Sequence, residues 1–583
     1  MKNGNNKIFM ILIFTVLISF GCEDLADLDT TPVNMLTEEM VITNASAFTA
    51  HMAVIYTKMY FERFSVYLDM NTTQLVNCVS GQNPQLDASS TFTNNPEEFD
   101  IWERCYSVIR DINVLLKLWP NATAYKGAEK DNIEGELRFL RAYAYFKLVR
   151  GYGGIPIVTE PMVLPESGDI TELHQPRAKE ADVWEFVKDE MTAAINLMSA
   201  TGGNEFRINK WSALALKSRA MMYAGSVARY STLQLDGILG LPASDAEVYF
   251  QEASDAAKEV INSGRYALYD LDPDKESNYR KMTFDESSAN KERMFVTAYY
   301  WPLKTSPVDR NTAPYNHRSA QGYGAYVCVT LDMVDQYEYV DNRDGRLKFN
   351  DGSGNRIVYD KAFDIFTGKD PRFFATVLGP GSPWKGTFLK IYGNKKVNGV
   401  EVPGQGPDGI GQPEATSTGF HMAKWSDPNP PRPIAGNSSE VDKSIIRYAE
   451  VLLNYAEAQM ELDINNEPEA RTYINLIRNR AGIQELANVT LDDVRHERYV
   501  ELAYEDNCYW DWKRWRIFHI EMFARDTRGI WPIWDETNDK YEFYEWNLAR
   551  DFFQRTYLPH MYYYKIPTAT IEANLELVQN PGY

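Results

Sequence analysis

Five cysteines in 583 residues, none in a C-x-x-C spacing, exclude a disulfide-built scaffold and a cysteine zinc site. Buried thiols are the default expectation, with one disulfide between Cys78 and Cys105 as the conceivable alternative. Histidine is equally sparse: the seven are scattered and none pairs with another at metal-ligand spacing. There is no G-x-S-x-G elbow, no H-E-x-x-H and no glycine-rich loop ending in Lys-Ser/Thr, so the common nucleophile, zinc-protease and nucleotide motifs are absent. Cations are outnumbered, with 60 Lys and Arg against 81 Asp and Glu. A net charge of −21 repels phosphate backbones and argues against a nucleic-acid partner. Beyond the N-terminus there is no apolar run long enough to anchor the chain in a bilayer.

What is abundant is aromatic: 36 Tyr, 27 Phe and 13 Trp exceed what a helical core requires and suggest a flat-faced ligand such as a sugar. The first residues read as a leader rather than as fold. Lys2 and Lys7 precede an apolar run over 8–18, too short to span, and Phe20-Gly21-Cys22 follows. A small residue before Cys22 reads as a lipobox, with Cys22 acylated as the first mature residue, although Ser19 and Phe20 stand where Leu and a small residue are usual. Ordinary cleavage with Cys22 incidental is the alternative. Glu23, Asp24, Asp27 and Asp29 would form a solvated tether behind a lipid anchor.

Helical periodicity governs much of the rest. Trp102, Cys105, Ile109, Ile112 and Leu116 form one stripe over 98–118. Leu137, Leu140, Ala144 and Leu148 repeat it over 132–149, stopped by Gly151-Tyr152-Gly153-Gly154-Ile155-Pro156. Further helices are expected over 181–198, 211–228, 246–262, 444–461, 468–481 and 491–505, with Thr490 and Asp493 as a capping box. Paired helices of this length predict a mainly α, tetratricopeptide-like α-hairpin scaffold. The expected organisation is a signal peptide over 1–21 and one domain over 22–583. Its helical frame covers about 30–265 and 440–517, with insertions at about 266–439 and 518–561.

The insertions are irregular and partly β, with strand-like runs at 294–299 and 356–359 and turn chemistry over 403–419. Loops on a rigid frame commonly carry the ligand contacts. Tyr299-Tyr300-Trp301-Pro302 opens a loop that also holds Tyr315, His317, Tyr323 and Tyr326. Pro302 restricts the local backbone and biases Trp301 to an extended conformation. Trp510, Trp512 and Trp515 lie beside a helix and are expected in the core. Asp270-Leu271-Asp272-Pro273-Asp274 alternates carboxylates as a calcium loop does, without the EF-hand glycine. Structural calcium is therefore the candidate ion, and no other cofactor is expected.

Several blocks together carry a family resemblance. They are Trp102-x3-Tyr106-x2-Ile109-x3-Asn113, then Glu136-Leu137-Arg138-Phe139-Leu140-Arg141-Ala142-Tyr143 running into the glycine turn. Arg447-x2-Glu450-x2-Leu453-x2-Ala456-Glu457-Ala458 follows, with Asn475-x2-Arg478-x-Arg480-Ala481-Gly482. After Glu497-Arg498-x2-Glu501-Leu502-Ala503 and Asp511-x2-Arg514-Trp515 come Tyr564-x-Ile566-Pro567 and Gln579-Asn580-Pro581-Gly582-Tyr583. In this order the chain resembles the SusD/RagB family of outer-membrane glycan-binding lipoproteins. It departs at Glu505-Asp506-Asn507-Cys508, where the family often has Glu-Gly-x-Arg, a change expected to weaken a local salt bridge or turn. The arginines and glutamates of these blocks read as inter-helix ion pairs, not as catalytic acids.

The resemblance implies a surface lipoprotein, anchored through Cys22 at the outer face of an outer membrane. It would bind an oligo- or polysaccharide without cleaving it and sit over a TonB-dependent, SusC-like barrel transporter. The implied glycan platform combines Tyr300, Trp301, Tyr315 and Tyr323 with the loop between the first two helices, about 78–95, which holds Gln82, Asn83, Phe92 and Asn94. The alternatives are a secreted glycoside hydrolase and a helical-repeat adaptor that binds only protein.

Overall fold

A computed structural model describes residues 38–59, 61, 69, 72–77, 101–318, 324–325, 327–412, 415–434, 436–548 and 557–583. Cys22, Cys78, Gln82, Asn83, Phe92, Asn94, Tyr323 and Tyr326, with the 1–21 leader, lie outside the described residues.

The expected helices form as antiparallel hairpins. Ile101–Leu118 packs on Gly127–Tyr152, which packs in turn on Glu180–Leu197. Lys210–Tyr230 pairs with Ala246–Asn262, and Tyr448–Leu462 lies across that pair and against Glu467–Ala481. Apolar stripes from these helices merge into one core, where Leu140, Trp184, Leu216, Phe250 and Val451 are fully or almost fully buried. Asn209 caps Lys210–Tyr230 by accepting from the Ser212 amide. The Thr490 hydroxyl accepts from the Asp493 amide at 3.2 Å while Asp493 accepts from the Thr490 amide at 2.8 Å, completing the expected capping box.

The glycine turn closes the second long helix for a steric reason. Gly153 takes φ 76° and its N–H donates to the Val149 carbonyl at 2.9 Å. A Cβ on Gly154 would stand 2.0 Å from the Ala178 carbonyl oxygen, so only glycine fits.

Two expectations are corrected. Residues 444–447 are not helical: Lys443–Arg447 is a strand, antiparallel to Arg293–Thr297, and the helix starts at Tyr448. Buried, β-branched Ile445 and Ile446 favour the strand, and its partner lies far away in sequence. The 356–359 run forms isolated bridges at Arg356 and Tyr359 rather than a strand. The second insertion also contains regular structure, an antiparallel hairpin of Arg528–Asp535 with Lys540–Asn547. Arg528–Asp535 pairs in parallel with Asn394–Val397, which pairs with Val400–Pro403, so one four-stranded sheet joins the two insertions. A second apolar core lies under them, with Val329, Tyr337, Phe366, Phe420 and Ile530.

Buried ions bind frame to insertion. Arg447 reaches Glu292 at 2.5 Å, Glu501 at 2.6 Å and Glu505 at 2.8 Å. Arg480 also meets Glu292 and Glu501, and Arg372 meets Asp370, Glu497 and Glu501. Arg478 joins Glu338 to Glu497, Arg141 meets Glu190, and Arg514 grips Glu457 with both nitrogens at 2.6 Å. These include ion pairs the motif blocks predicted, extended by Glu190, Glu292, Glu338, Asp370 and Arg372 from outside those blocks. At the Glu505-Asp506 departure the acid keeps its pairs while the next residue carries a glycine-like backbone. Glu505 pairs with Arg447 and Lys424, and Asp506 itself takes the left-handed φ of 66° that a glycine would.

Cys105 and Cys508 are buried thiols, which rules out the Cys78–Cys105 bridge. Cys328 is in a disulfide whose other half lies outside the described residues. No helix among the described residues is long and apolar enough to cross a membrane.

Candidate binding surface

The strand Arg293–Thr297 continues into Tyr299-Tyr300-Trp301-Pro302, and the chain turns back at once. Tyr300 and Lys304 exchange backbone hydrogen bonds at 2.7 and 3.0 Å. Ser306 and Ser439 do the same at 3.0 and 3.1 Å, so residues 299–306 form an irregular arm along 437–442. Side chains of the second strand brace the first. Asp442 accepts from the Tyr299 amide at 2.9 Å and pairs with Arg293 at 2.7 Å. Glu440 accepts from the Trp301 amide at 2.9 Å. The tip itself is exposed: Tyr300 by 53 %, Trp301 by 46 % and Leu303 by 76 %. Three large apolar residues within four positions thus face solvent.

Trp301 is therefore not a core residue. The Arg432 guanidinium, itself paired with Glu440, lies 5.4 Å from its ring centroid. The Trp301–Pro302 peptide is cis. Beneath the tip, Lys304 lies 5.0 Å from the Tyr299 ring, and burial lowers its pKa.

Tyr315 is half-buried in a short turn, Tyr315–His317, with the Arg318 guanidinium 3.9 Å from its ring centroid. Asp408 accepts from the Asn316 amide at 3.2 Å, and His317 Nε2 lies 3.2 Å from the Thr387 hydroxyl. Among the described residues no ring contact joins Tyr315 to Tyr300 or Trp301. The link between them is polar: Asp309 bonds the Ser439 side chain and accepts from the Asp427 amide at 3.2 Å. Burial raises the Asp309 pKa, but both bonds engage that carboxylate as a loop tie. Glu440 and Asp442 are likewise occupied by arginines. The tryptophans near the 507–514 helix are core as expected, Trp510, Trp512 and Trp515 being buried.

The acidic run at 270–274 is also engaged. Asp270 pairs with Lys275 at 2.8 Å and Asp272 with Lys281 at 2.5 Å. Asp274 caps the 275–284 helix by accepting from the Ser277 amide at 2.7 Å. Among the described residues no group of three or more His, Cys, Asp or Glu is placed to hold a metal ion. Sequence reasoning missed Glu440 and Arg432, whose role depends on a pairing across 139 residues.

Comparison with known proteins gives two family models. The SusD family model matches residues 309–583, and a model described as starch-binding, associating with outer membrane, matches residues 26–222. The Tyr300–Trp301 tip falls between the two. A SusD-like protein of Bacteroides ovatus is 23% identical over 98% of this chain and 96% of its own. The crystal structure of a SusD-like protein from Bacteroides fragilis superposes with a TM-score of 0.70 at 23% identity, covering 93% of this chain and 98% of that one. A laminarin binding SusD-like protein gives a TM-score of 0.60 at 18% identity, with 93% and 100% covered. With an α-hairpin frame, its motif blocks in order and both family models matching, the chain belongs to the SusD/RagB family.

Proposed function

We propose that the protein binds an oligo- or polysaccharide at a cell surface, holding it on the Tyr300–Trp301 tip, without cleaving it. The observation that carries this reading is Trp301, exposed on a braced turn with its amide fixed by Glu440. A pyranose offers an apolar C–H face that stacks on an indole, and a pre-ordered ring loses little freedom on binding. Support comes also from relatives whose names describe carbohydrate and laminarin binding. Delivery to a TonB-dependent, SusC-like transporter and anchorage through acylated Cys22 complete the proposal. The family model's outer-membrane description is consistent with that location. The engaged state of Asp309, Glu440 and Asp442 supports binding over hydrolysis, which needs an acid and a base or nucleophile about a scissile bond.

The test is affinity electrophoresis in gels holding a panel of polysaccharides, run with intact protein and with Trp301→Ala. Retardation in one gel, no release of reducing ends, and a loss of at least about thirtyfold in affinity on substitution are expected, corresponding to about 2 kcal/mol. The melting temperature should hold, because the ring is half exposed. Unchanged affinity in Trp301→Ala removes the platform assignment and moves it to Tyr315 and Tyr323. Steady release of reducing ends supports the hydrolase, and no retardation in any gel favours the protein-binding adaptor.

A further inference from the structure

Just past the 507–514 helix stands Arg516, whose backbone takes a left-handed φ of 58°. Its Nη2 donates to the Tyr563 hydroxyl at 2.9 Å, and its guanidinium lies 4.6 Å and 5.0 Å from the ring centroids of Tyr562 and Tyr563. Its Nη1 is buried with no hydrogen-bond partner. No carboxylate among the described residues forms an ion pair with it. Glu180 influences it only from beyond Tyr563, whose hydroxyl donates to Glu180 at 2.7 Å.

Glu180 is itself fully engaged, accepting also from the Gly240 amide at 2.6 Å and from Trp184 Nε1 at 3.1 Å. It also balances Arg177, which donates to the carbonyls of Gly154, Tyr152 and Val578 at 2.6–2.8 Å and to no carboxylate. Two guanidiniums thus share one acid, and the region holds excess positive charge. Arg177 is buried and Arg516 part-buried, and a guanidinium held in this way without a counter-ion of its own is costly, since arginine cannot shed its proton.

The excess lies at a cavity. Arg516, Tyr562, Tyr563, His560, Ser231 and Asn580 are among the residues lining a space of about 190 Å³. A space of that size takes several waters or a small organic molecule. Ser231 Oγ and Asn580 Oδ1 are buried without hydrogen-bond partners, and Asn580 Oδ1 can only accept. A ligand suited to this wall supplies one anionic oxygen for the arginine and hydroxyl donors for the amide oxygen, against tyrosine faces.

We propose that this cavity binds a small hydroxy-carboxylate, of the class of a sugar acid, through a charge-assisted hydrogen bond to Arg516. The site is separate from the Trp301 tip and independent of the glycan reading. The probes are sodium D-glucuronate and D-glucose, the same ring without the carboxylate, titrated calorimetrically into the full chain. Glucuronate should bind at one site, glucose at least about tenfold more weakly, and Arg516→Gln should lose at least about tenfold in glucuronate affinity. Should Arg516→Gln fail to fold, Ser231→Glu decides, because it places a carboxylate of the protein's own in the cavity. Loss of glucuronate binding in folded Ser231→Glu supports the site. No binding by the parent chain, equal binding of glucose, or glucuronate affinity retained in the folded variants overturns it.

Discussion

The amide of Trp301 donates to the Glu440 carboxylate across 139 residues, and the same carboxylate holds Arg432 beside the indole. One acid therefore fixes the backbone of the exposed ring and keeps a cation near it. The hold on the tip comes from the segment alongside it, 437–442, and not from the turn alone. Glu440→Ala should consequently loosen the ring without unfolding the arm. Affinity for the retained polysaccharide is expected to fall about fivefold, near 1 kcal/mol, with the melting temperature unchanged. Parallel affinity gels and thermal melts check this, and full affinity in Glu440→Ala would show the brace to be dispensable.

Arg447 is surrounded by the buried Glu292 and Glu501 and by Glu505, whose side chain is nearly covered. Removing it leaves these acids short of counter-charge in a medium that cannot solvate them. Arg447→Met is expected to cost about 3–5 kcal/mol in urea unfolding, the range seen when one partner of a buried ion pair is deleted. A loss below about 1 kcal/mol would show that Arg480 and Lys424 can carry the charge alone.

Acid stability follows from two of the same carboxylates. Burial opposes ionisation of Glu457, but the Arg514 pair outweighs it and holds its pKa at about 2. Glu505, likewise buried, is held at about 2 by Arg447 and Lys424. A folded-state pKa below the unfolded value near 4.5 means that the unfolded chain binds more protons in this window. Stability is then complete above about pH 4.5 and is lost as pH falls towards 2. Urea midpoints measured from pH 6 down to 2 should decline in that interval, and Arg514→Met should flatten part of the decline.

Two glycines separate steric need from chance. A Cβ on Gly154 would meet the Ala178 carbonyl oxygen at 2.0 Å and the Ile238 carbonyl oxygen at 2.7 Å, both backbone atoms that cannot swing aside. A Cβ on Gly352 would meet nothing within 4 Å, and its φ is not left-handed. Gly154→Ala should lose about 3 kcal/mol or more, or fail to accumulate folded, whereas Gly352→Ala should stay within about 0.5 kcal/mol of the parent. Equal thermal melts for the two variants would contradict the close approach.

Most of the frame is legible in the sequence because helices depend on neighbours three and four positions away. The stripe of Trp102, Ile109 and Ile112, the Thr490–Asp493 cap and the stop at Gly153 are all local. The strand Lys443–Arg447 is not legible, because what makes it a strand is Arg293–Thr297 alongside. Its last residue also begins the helical spacing Arg447-x2-Glu450-x2-Leu453. At the candidate surface the Tyr-Tyr-Trp-Pro run reads as the opening of a loop, and the structure exposes it, while its bracing by Glu440 and Arg432 exists only once two distant segments meet. Arg516 carries no sequence signal at all, since its character lies in an acid that is missing from its surroundings.

The buried ion lattice also sets an order of events during synthesis. Glu292 leaves the ribosome 155 residues before Arg447, and Arg372 precedes Glu501 by 129. Until the segment around 497–505 has emerged, Arg372, Arg478 and Arg480 lack carboxylates that complete their pairing. The insertion therefore cannot complete its pairing with the helical frame before residues 497–505 are available. A chain halted before 497 would keep charged, half-built surfaces in water, so this docking belongs to the late steps of folding.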